Sequence, residues 1–247
     1  MIEKGDGYGG EGYNYVSEYY NSVFIWLHGR GDTADSFLRY IQIFQQYKSL
    51  RRTKIILLTA PIISLSYLEG YPFRAWFDML KFEPLFPEKP EHLFKTSSRI
   101  INIVLKEIEK GIKSSRIGIG GFSQGAASSY FISLSSIKCT FGFCIVVGGW
   151  LPLINNFCEK KEVELLNNYI TFEVTDDVKK NTKFLILHGE SDPRVPLFWS
   201  KRCQDIVLSI IKPKNYQNKI YPNIGHTISI RMENDFLEFM AKCLEIC

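Results

Sequence analysis

The chain has 247 residues, of which 45% are hydrophobic and 23% charged, with a net charge of +4. These are ordinary globular proportions that supply a sizeable core. They exclude a basic stripe for nucleic acid, because Lys and Arg are scattered and the densest cluster, KPKNYQNK at 212–219, reads as a solvated loop. They also exclude a membrane helix, since no run reaches the roughly 18 apolar residues that one needs.

The N-terminal stretch MIEKGDGYGGEGYNY is polar and glycine-rich, without the apolar core of a signal peptide. It sets residues 1–20 apart as a flexible segment ahead of one domain spanning 21–247. Ile2 excludes myristoylation, and no Asn-x-Ser/Thr sequon occurs. The six cysteines (139, 144, 158, 203, 243 and 247) show no C-x-x-C spacing, so reduced thiols in a cytoplasmic protein are expected rather than a zinc site or a disulfide framework.

From residue 22 onward, strand-like and helix-like runs alternate. SVFIWLH (22–28) reads as a buried strand, and DSFLRYIQIFQQY as a helix capped near Asp35. KIILLTAP (54–61) is a second strand, followed by an irregular, aromatic- and proline-rich region to about residue 92. TSSRIINIVLKEIEKGI (96–112) is amphipathic, with Ile100, Ile103, Val104 and Ile108 on one face. RIGIGGF is a third strand and GAASSYFISLSS the helix after it. CTFGFCIVVGG (139–149) and TKFLILHG (182–189) are strands four and five. A helix over 197–211, a short strand over 217–222 and a last helix over 228–245 complete the chain. Strands that are apolar throughout require a sheet covered on both faces, so the expected fold is α/β: a mostly parallel central sheet with helices on both sides.

Gly121-Phe122-Ser123-Gln124-Gly125 is a G-x-S-x-G placed after a strand and before a helix, the context of a nucleophile elbow. Glycines two positions either side of the serine make steric sense where strand and helix approach closely. A serine hydroxyl needs a base, and there are four histidines: His28, His92, His188 and His226. In the chain order Ser, acid, His, only His188 and His226 follow Ser123. His188 ends a strand with its acids beyond it, so elimination leaves His226 as the base. Asp192, on the turn after strand five, is the acid; Glu190 lies inside the turn and Asp205 well into a helix. The oxyanion donors expected for this elbow are the backbone N–H groups of Gln124 and, in the loop HGRGD (28–32), of Arg30.

LHGRGD, APIISLSYLEGYPFRAWFD, GGFSQGAA, GGWLPL, LILHGESDPRVPL and YPNIGHTIS occur in the order seen in the acyl-protein thioesterase/carboxylesterase family, which the chain resembles over roughly residues 20–246. The resemblance implies an α/β-hydrolase fold, and a cofactor-free serine hydrolase acting on acylated proteins, lysophospholipids or small acyl esters. It places the nucleophile, acid and base on Ser123, Asp192 and His226, and the oxyanion donors on Arg30 and Gln124. By the same resemblance Trp76, Trp150 and Leu151 line the substrate site. Any membrane contact is expected to be transient, and neither nucleic acid nor metal is expected. Two departures stand out: many eukaryotic members have leucine in place of Arg30 and Gly-Gly in place of Gly125-Ala126. The stretch 154–181 is longer and more charged than the family pattern.

Three further patterns are decoys. Gly5 to Gly10 spells G-x-G-x-x-G but lacks the strand and helix of a dinucleotide site. Arg30-Gly31-Asp32 belongs to the oxyanion loop rather than to cell adhesion. His188, Glu190 and Asp192 form turn chemistry rather than a metal site. The apolar loops 63–73 and 79–87 are expected to line a channel for an acyl chain, where each buried methylene is worth about 0.8 kcal/mol. The rival from another class is a non-catalytic binding protein on the same fold.

Overall fold

A computed structural model of the chain describes residues 2–17, 19–81, 88–159 and 170–245. The apolar runs form strands β3 (Ser22–Leu27), β4 (Thr53–Leu58), β7 (Ile117–Phe122), β8 (Phe143–Val147), β9 (Lys183–Gly189) and β10 (Tyr216–Tyr221). They pair in parallel in the order β4-β3-β7-β8-β9-β10. Successive side chains in a strand point to opposite faces, so Val23, Ile25 and Leu27 enter one core while Phe24 and Trp26 enter the other. The first core is closed by α2 (Pro90–Glu109), α3 (Gln124–Ser135) and α6 (Leu197–Ile210), the second by α1 (Leu38–Gln46) and α7 (Ile230–Leu244). This is the covered, mostly parallel sheet that uniformly apolar strands demand.

Residues 1–20 depart from the expectation of a segment set apart from the domain. Within them β1 (Ile2–Lys4) and β2 (Gly12–Tyr15) extend the sheet antiparallel, β2 pairing with β4. The glycine-rich link between them folds around Asp6. Its buried carboxylate accepts the N–H groups of Tyr8 (2.8 Å) and Gly10 (2.9 Å) and pairs with Arg99 at 2.7 Å. Composition hid this edge because the glycines serve turns rather than linker freedom: Gly5, Gly7 and Gly9 all have positive φ.

The region before residue 92 is also more ordered than expected. β5 (Ile62–Leu65) and β6 (Tyr71–Arg74) form a separate antiparallel hairpin. The following helix starts at Pro90 rather than near residue 96, with proline in the first turn, where its missing N–H costs nothing. The stretch 154–181 contains α4 (Ile154–Glu159) and α5 (Asp176–Asn181), while 160–169 lie outside the described residues. So do 82–87, most of the second loop expected to line an acyl channel.

Candidate active site

Ser123 sits between β7 and α3 with φ 55 and ψ −121. A non-glycine residue held at positive φ costs on the order of 1–3 kcal/mol and persists only where its surroundings enforce it. Here Ser123 N–H donates to Val147 O and Ser123 O accepts from Ala127 N–H, both at 2.9 Å. The flanking glycines are explained by contact. A Cβ on Gly125 would stand 2.2 Å from Leu27 O, and one on Gly121 would stand 2.5 Å from the Gly125 carbonyl carbon. Helix α3 therefore crosses the end of β3 at backbone distance, and the turn that achieves this pushes the serine side chain off the sheet edge.

His226 lies on the segment between β10 and α7. Its Nε2 is 2.9 Å from Ser123 Oγ, and its Nδ1 is 2.7 Å from Asp192 Oδ2. Burial alone raises the Asp192 pKa. The hydrogen bond from His226 and the N–H groups of Val195 and Arg194 (each 2.9 Å) outweigh it and hold the carboxyl below the ordinary 3.8. An ionised carboxylate only accepts, so Nδ1 carries the proton and the Nε2 lone pair faces the serine hydroxyl. Two backbone bonds tie the His226 segment to the acid's turn, Ser191 N–H to Ile224 O at 3.0 Å and Glu190 N–H to Tyr221 O at 2.9 Å. The rivals are placed elsewhere: Glu190 and Asp205 are exposed, and His188 is buried, with Nε2 donating to Val195 O at 2.7 Å.

Arg30, Ser123, Gln124 and His226 line one cavity of about 270 Å³, together with Gly29, Asp32, Met79, Phe122, Trp150, Arg194 and Val195. Gln124 is the first residue of α3, so its backbone N–H has no intrahelical partner and the helix dipole adds to its pull on negative charge. The loop of Arg30 is fixed by His28, Ala60 and Arg74. His28 Nε2 accepts Ala60 N–H at 2.9 Å, which leaves the proton on Nδ1 to donate to Gly29 O at 2.6 Å. Gly31 N–H donates to Arg74 O at 2.8 Å.

Of the three expected lining residues, only Trp150 reaches this cavity. Its indole N–H donates to Glu88 Oε1 at 3.2 Å, and burial raises the pKa of that carboxyl. Trp76 is 1% exposed and braces the loop of Arg30 from behind, its indole N–H donating to His28 O at 2.8 Å. Leu151 is equally buried, with its N–H on Cys203 Sγ at 3.2 Å. The Gln124 side chain holds the Trp76 segment in turn: Oε1 accepts Trp76 N–H at 3.0 Å and Nε2 donates to Phe77 O at 2.8 Å. The signal for His28 was present as a Leu-His-Gly repeated at 27–29 and 187–189, but Ala60 and Trp76, which donate to it, lie 32 and 48 positions away.

Known proteins resemble the chain in sequence and in fold. The model of the Phospholipase/Carboxylesterase family matches residues 17–244. A Saccharomyces cerevisiae protein named acyl-protein thioesterase 1 is 28% identical over 231 residues, which is 90% of this chain and 92% of that protein. The crystal structure of Arabidopsis thaliana SOBER1 superposes with a TM-score of 0.77 at 22% identity, covering 91% of this chain and 99% of that one. For Zea mays acyl-protein thioesterase 2 the TM-score is 0.75 at 22% identity, over 95% of this chain and 100% of that one. With a sheet of this topology, helices on both its faces and a family match over nearly its whole length, the chain belongs to the phospholipase/carboxylesterase family of α/β-hydrolases.

Proposed function

We propose that the protein is a serine hydrolase of acyl thioesters and esters, of the acyl-protein thioesterase kind, working through Ser123, His226 and Asp192. The observation that carries this reading is the continuous hydrogen-bonded chain from Ser123 Oγ to His226 (2.9 Å) to Asp192 (2.7 Å) at the wall of a cavity. Ser123 Oγ attacks the acyl carbonyl carbon and gives its proton to His226 Nε2. The tetrahedral oxyanion accepts the backbone N–H groups of Arg30 and Gln124, each such donor typically worth about 10²–10³ in rate. Collapse breaks the C–S or C–O bond, and the leaving thiol or alcohol takes the proton from His226. Water then gives a proton to His226 and attacks the acyl-enzyme. The second collapse releases the carboxylic acid and returns that proton to Ser123.

Asp192 keeps His226 in the reactive tautomer and stabilises the imidazolium without taking the proton itself. The choice of thioesterase over general esterase is supported by the relatives' names and by the extent of the match. The test is turnover of a palmitoyl-thioester peptide and of p-nitrophenyl esters of graded chain length, wild type beside Ser123→Ala. Turnover abolished by the substitution is the expected result, and the preferred acyl length and linkage select the substrate class. Equal inertness of both proteins on every acyl length overturns the reading in favour of a binding protein.

A further inference from the structure

The charged residues on the wall of the cavity are unbalanced. Among the described lining residues Arg30 and Arg194 are cationic and Asp32 alone is anionic. Arg30 is half-buried and held in place: its Nη1 donates to the Tyr67 hydroxyl, and its guanidinium stands 5.1 Å from the centre of the Tyr67 ring. Arg194 is exposed, and among the described residues its guanidinium has no ion pair or hydrogen bond; only its backbone N–H is engaged, on Asp192. Burial above all, with the Arg194 charge adding to it against the pull of Tyr67, lowers the Arg30 guanidinium from its ordinary value. The two arginines share one cavity wall, so an anion entering the cavity meets two cationic side chains.

Their positions say which part of a substrate they meet. Arg30 supplies an oxyanion donor from its own backbone, and Arg194 follows by two residues the acid that orients His226. Both line the cavity that holds Ser123, so their guanidinium groups belong to the wall of the site where the acyl bond would be cleaved. Met79, Phe122, Trp150 and Val195 supply the apolar remainder of the wall.

We propose that Arg30 and Arg194 select acyl esters and thioesters whose leaving group carries an anionic oxygen group, a carboxylate or a phosphate, close to the scissile bond. This rests on the hydrolase reading above. A planar guanidinium binds either group through paired N–H donors. A cavity that excludes part of the solvent makes such a pair stronger than one on an open surface.

The experiment compares kcat/KM for matched pairs: S-octanoyl-3-mercaptopropionate against S-octanoyl-N-acetylcysteamine, and 1-octanoylglycerol-3-phosphate against 1-octanoylglycerol. The anionic member of at least one pair is expected to lead by about tenfold at low salt, with the lead shrinking as salt screens it. Which pair shows the lead identifies carboxylate or phosphate. Arg194→Ala should reduce that ratio by most of the tenfold, Arg194→Lys should retain part of it, and Arg194→Glu should reverse its sign. Neutral esters turned over with no preference in either pair, or a preference untouched by Arg194→Ala, overturn the inference and leave the hydrolase reading standing. Should no ester be turned over, the hydrolase reading fails and binding to the Ser123→Ala protein decides. Octyl phosphate binding no tighter than octanol by titration calorimetry then overturns the anion subsite as well.

Discussion

The same three residues, Leu-His-Gly, mark the ends of two strands of the sheet, at 27–29 starting on the last residue of β3 and at 187–189 as the last three residues of β9. Each is followed by a charged loop that carries one candidate residue of the site, Arg30 in the first and Asp192 in the second. Both histidines are buried, and burial lowers both pKa values. The loops are nevertheless held differently. His28 uses both ring nitrogens, bridging Gly29 O and Ala60 N–H, and Trp76 adds a bond from behind. His188 donates from Nε2, and among the described residues its Nδ1 has no partner; the turn after β9 relies instead on Asp192, which accepts two N–H groups of its own loop. The first loop is held by His28, Ala60 and Trp76, none of them a catalytic candidate, whereas in the second the catalytic candidate is also the structural anchor.

The largest effect expected from this contrast is at the acid. Asp192→Asn keeps an oxygen for the Arg194 and Val195 N–H groups but loses the charge that fixes the His226 tautomer. It should lower kcat on a p-nitrophenyl ester by about 10⁴, with KM changed far less. A kcat within tenfold of wild type would break the assignment of Asp192.

His28→Ala comes next. It leaves Ala60 N–H without its buried acceptor, costing about 1–3 kcal/mol, and frees the loop that carries the Arg30 donor. The drop in kcat should approach the roughly 10² of a lost oxyanion donor. His188→Ala is expected to destabilise by a comparable amount in urea unfolding while lowering kcat less. Equal losses of activity in the two variants would erase the distinction between the loops.

A second pair of substitutions probes backbone contact. A Cβ on Gly125 would stand 2.2 Å from Leu27 O, and one on Gly189 would stand 2.3 Å from Ile224 O. Either alanine forces backbone apart, so each should lower the urea midpoint by the equivalent of about 1–3 kcal/mol. The first displaces the elbow and the second the His226 segment.

The smallest effect is on stability against pH. His28 and His188 are kept neutral in the fold, so below the ordinary value of 6.5 the unfolded chain binds protons that the folded chain does not. Their contribution is complete above pH 6.5 and falls as pH drops toward the lowered folded values. Asp192, also lowered, contributes fully above its ordinary 3.8 and loses its contribution below that. Urea midpoints should therefore decline between pH 7 and pH 5, and His188→Gln should flatten part of that decline. Asp192→Asn should change the slope only in stronger acid.

Much of this was legible in the chain. G-x-S-x-G between a strand and a helix, a histidine before the last helix and an aspartate on a strand-end turn are local signals, because each states a geometric need within a few residues. The uniformly apolar strands announced a covered parallel sheet for the same reason. The N-terminal strands and the 62–74 hairpin were not legible, since short, glycine-punctuated or half-exposed strands lack the periodicity that marks a buried one. Trp76 and Leu151 looked like lining residues, but an aromatic or apolar side chain carries no mark of which side of a wall it packs on.

The sequence by itself determined the order of elements, the elbow and the identity of the three candidate catalytic side chains, because backbone sterics and hydrogen-bonding chemistry act within a turn or two. Tertiary structure alone decided what surrounds them. Gln124 gripping Trp76 and Phe77, His28 gripping Ala60, and Arg30 and Arg194 meeting at one cavity are contacts between segments up to 164 positions apart in the chain. Only the packing of the sheet and its loops brings such segments within reach of a hydrogen bond or of each other's charge.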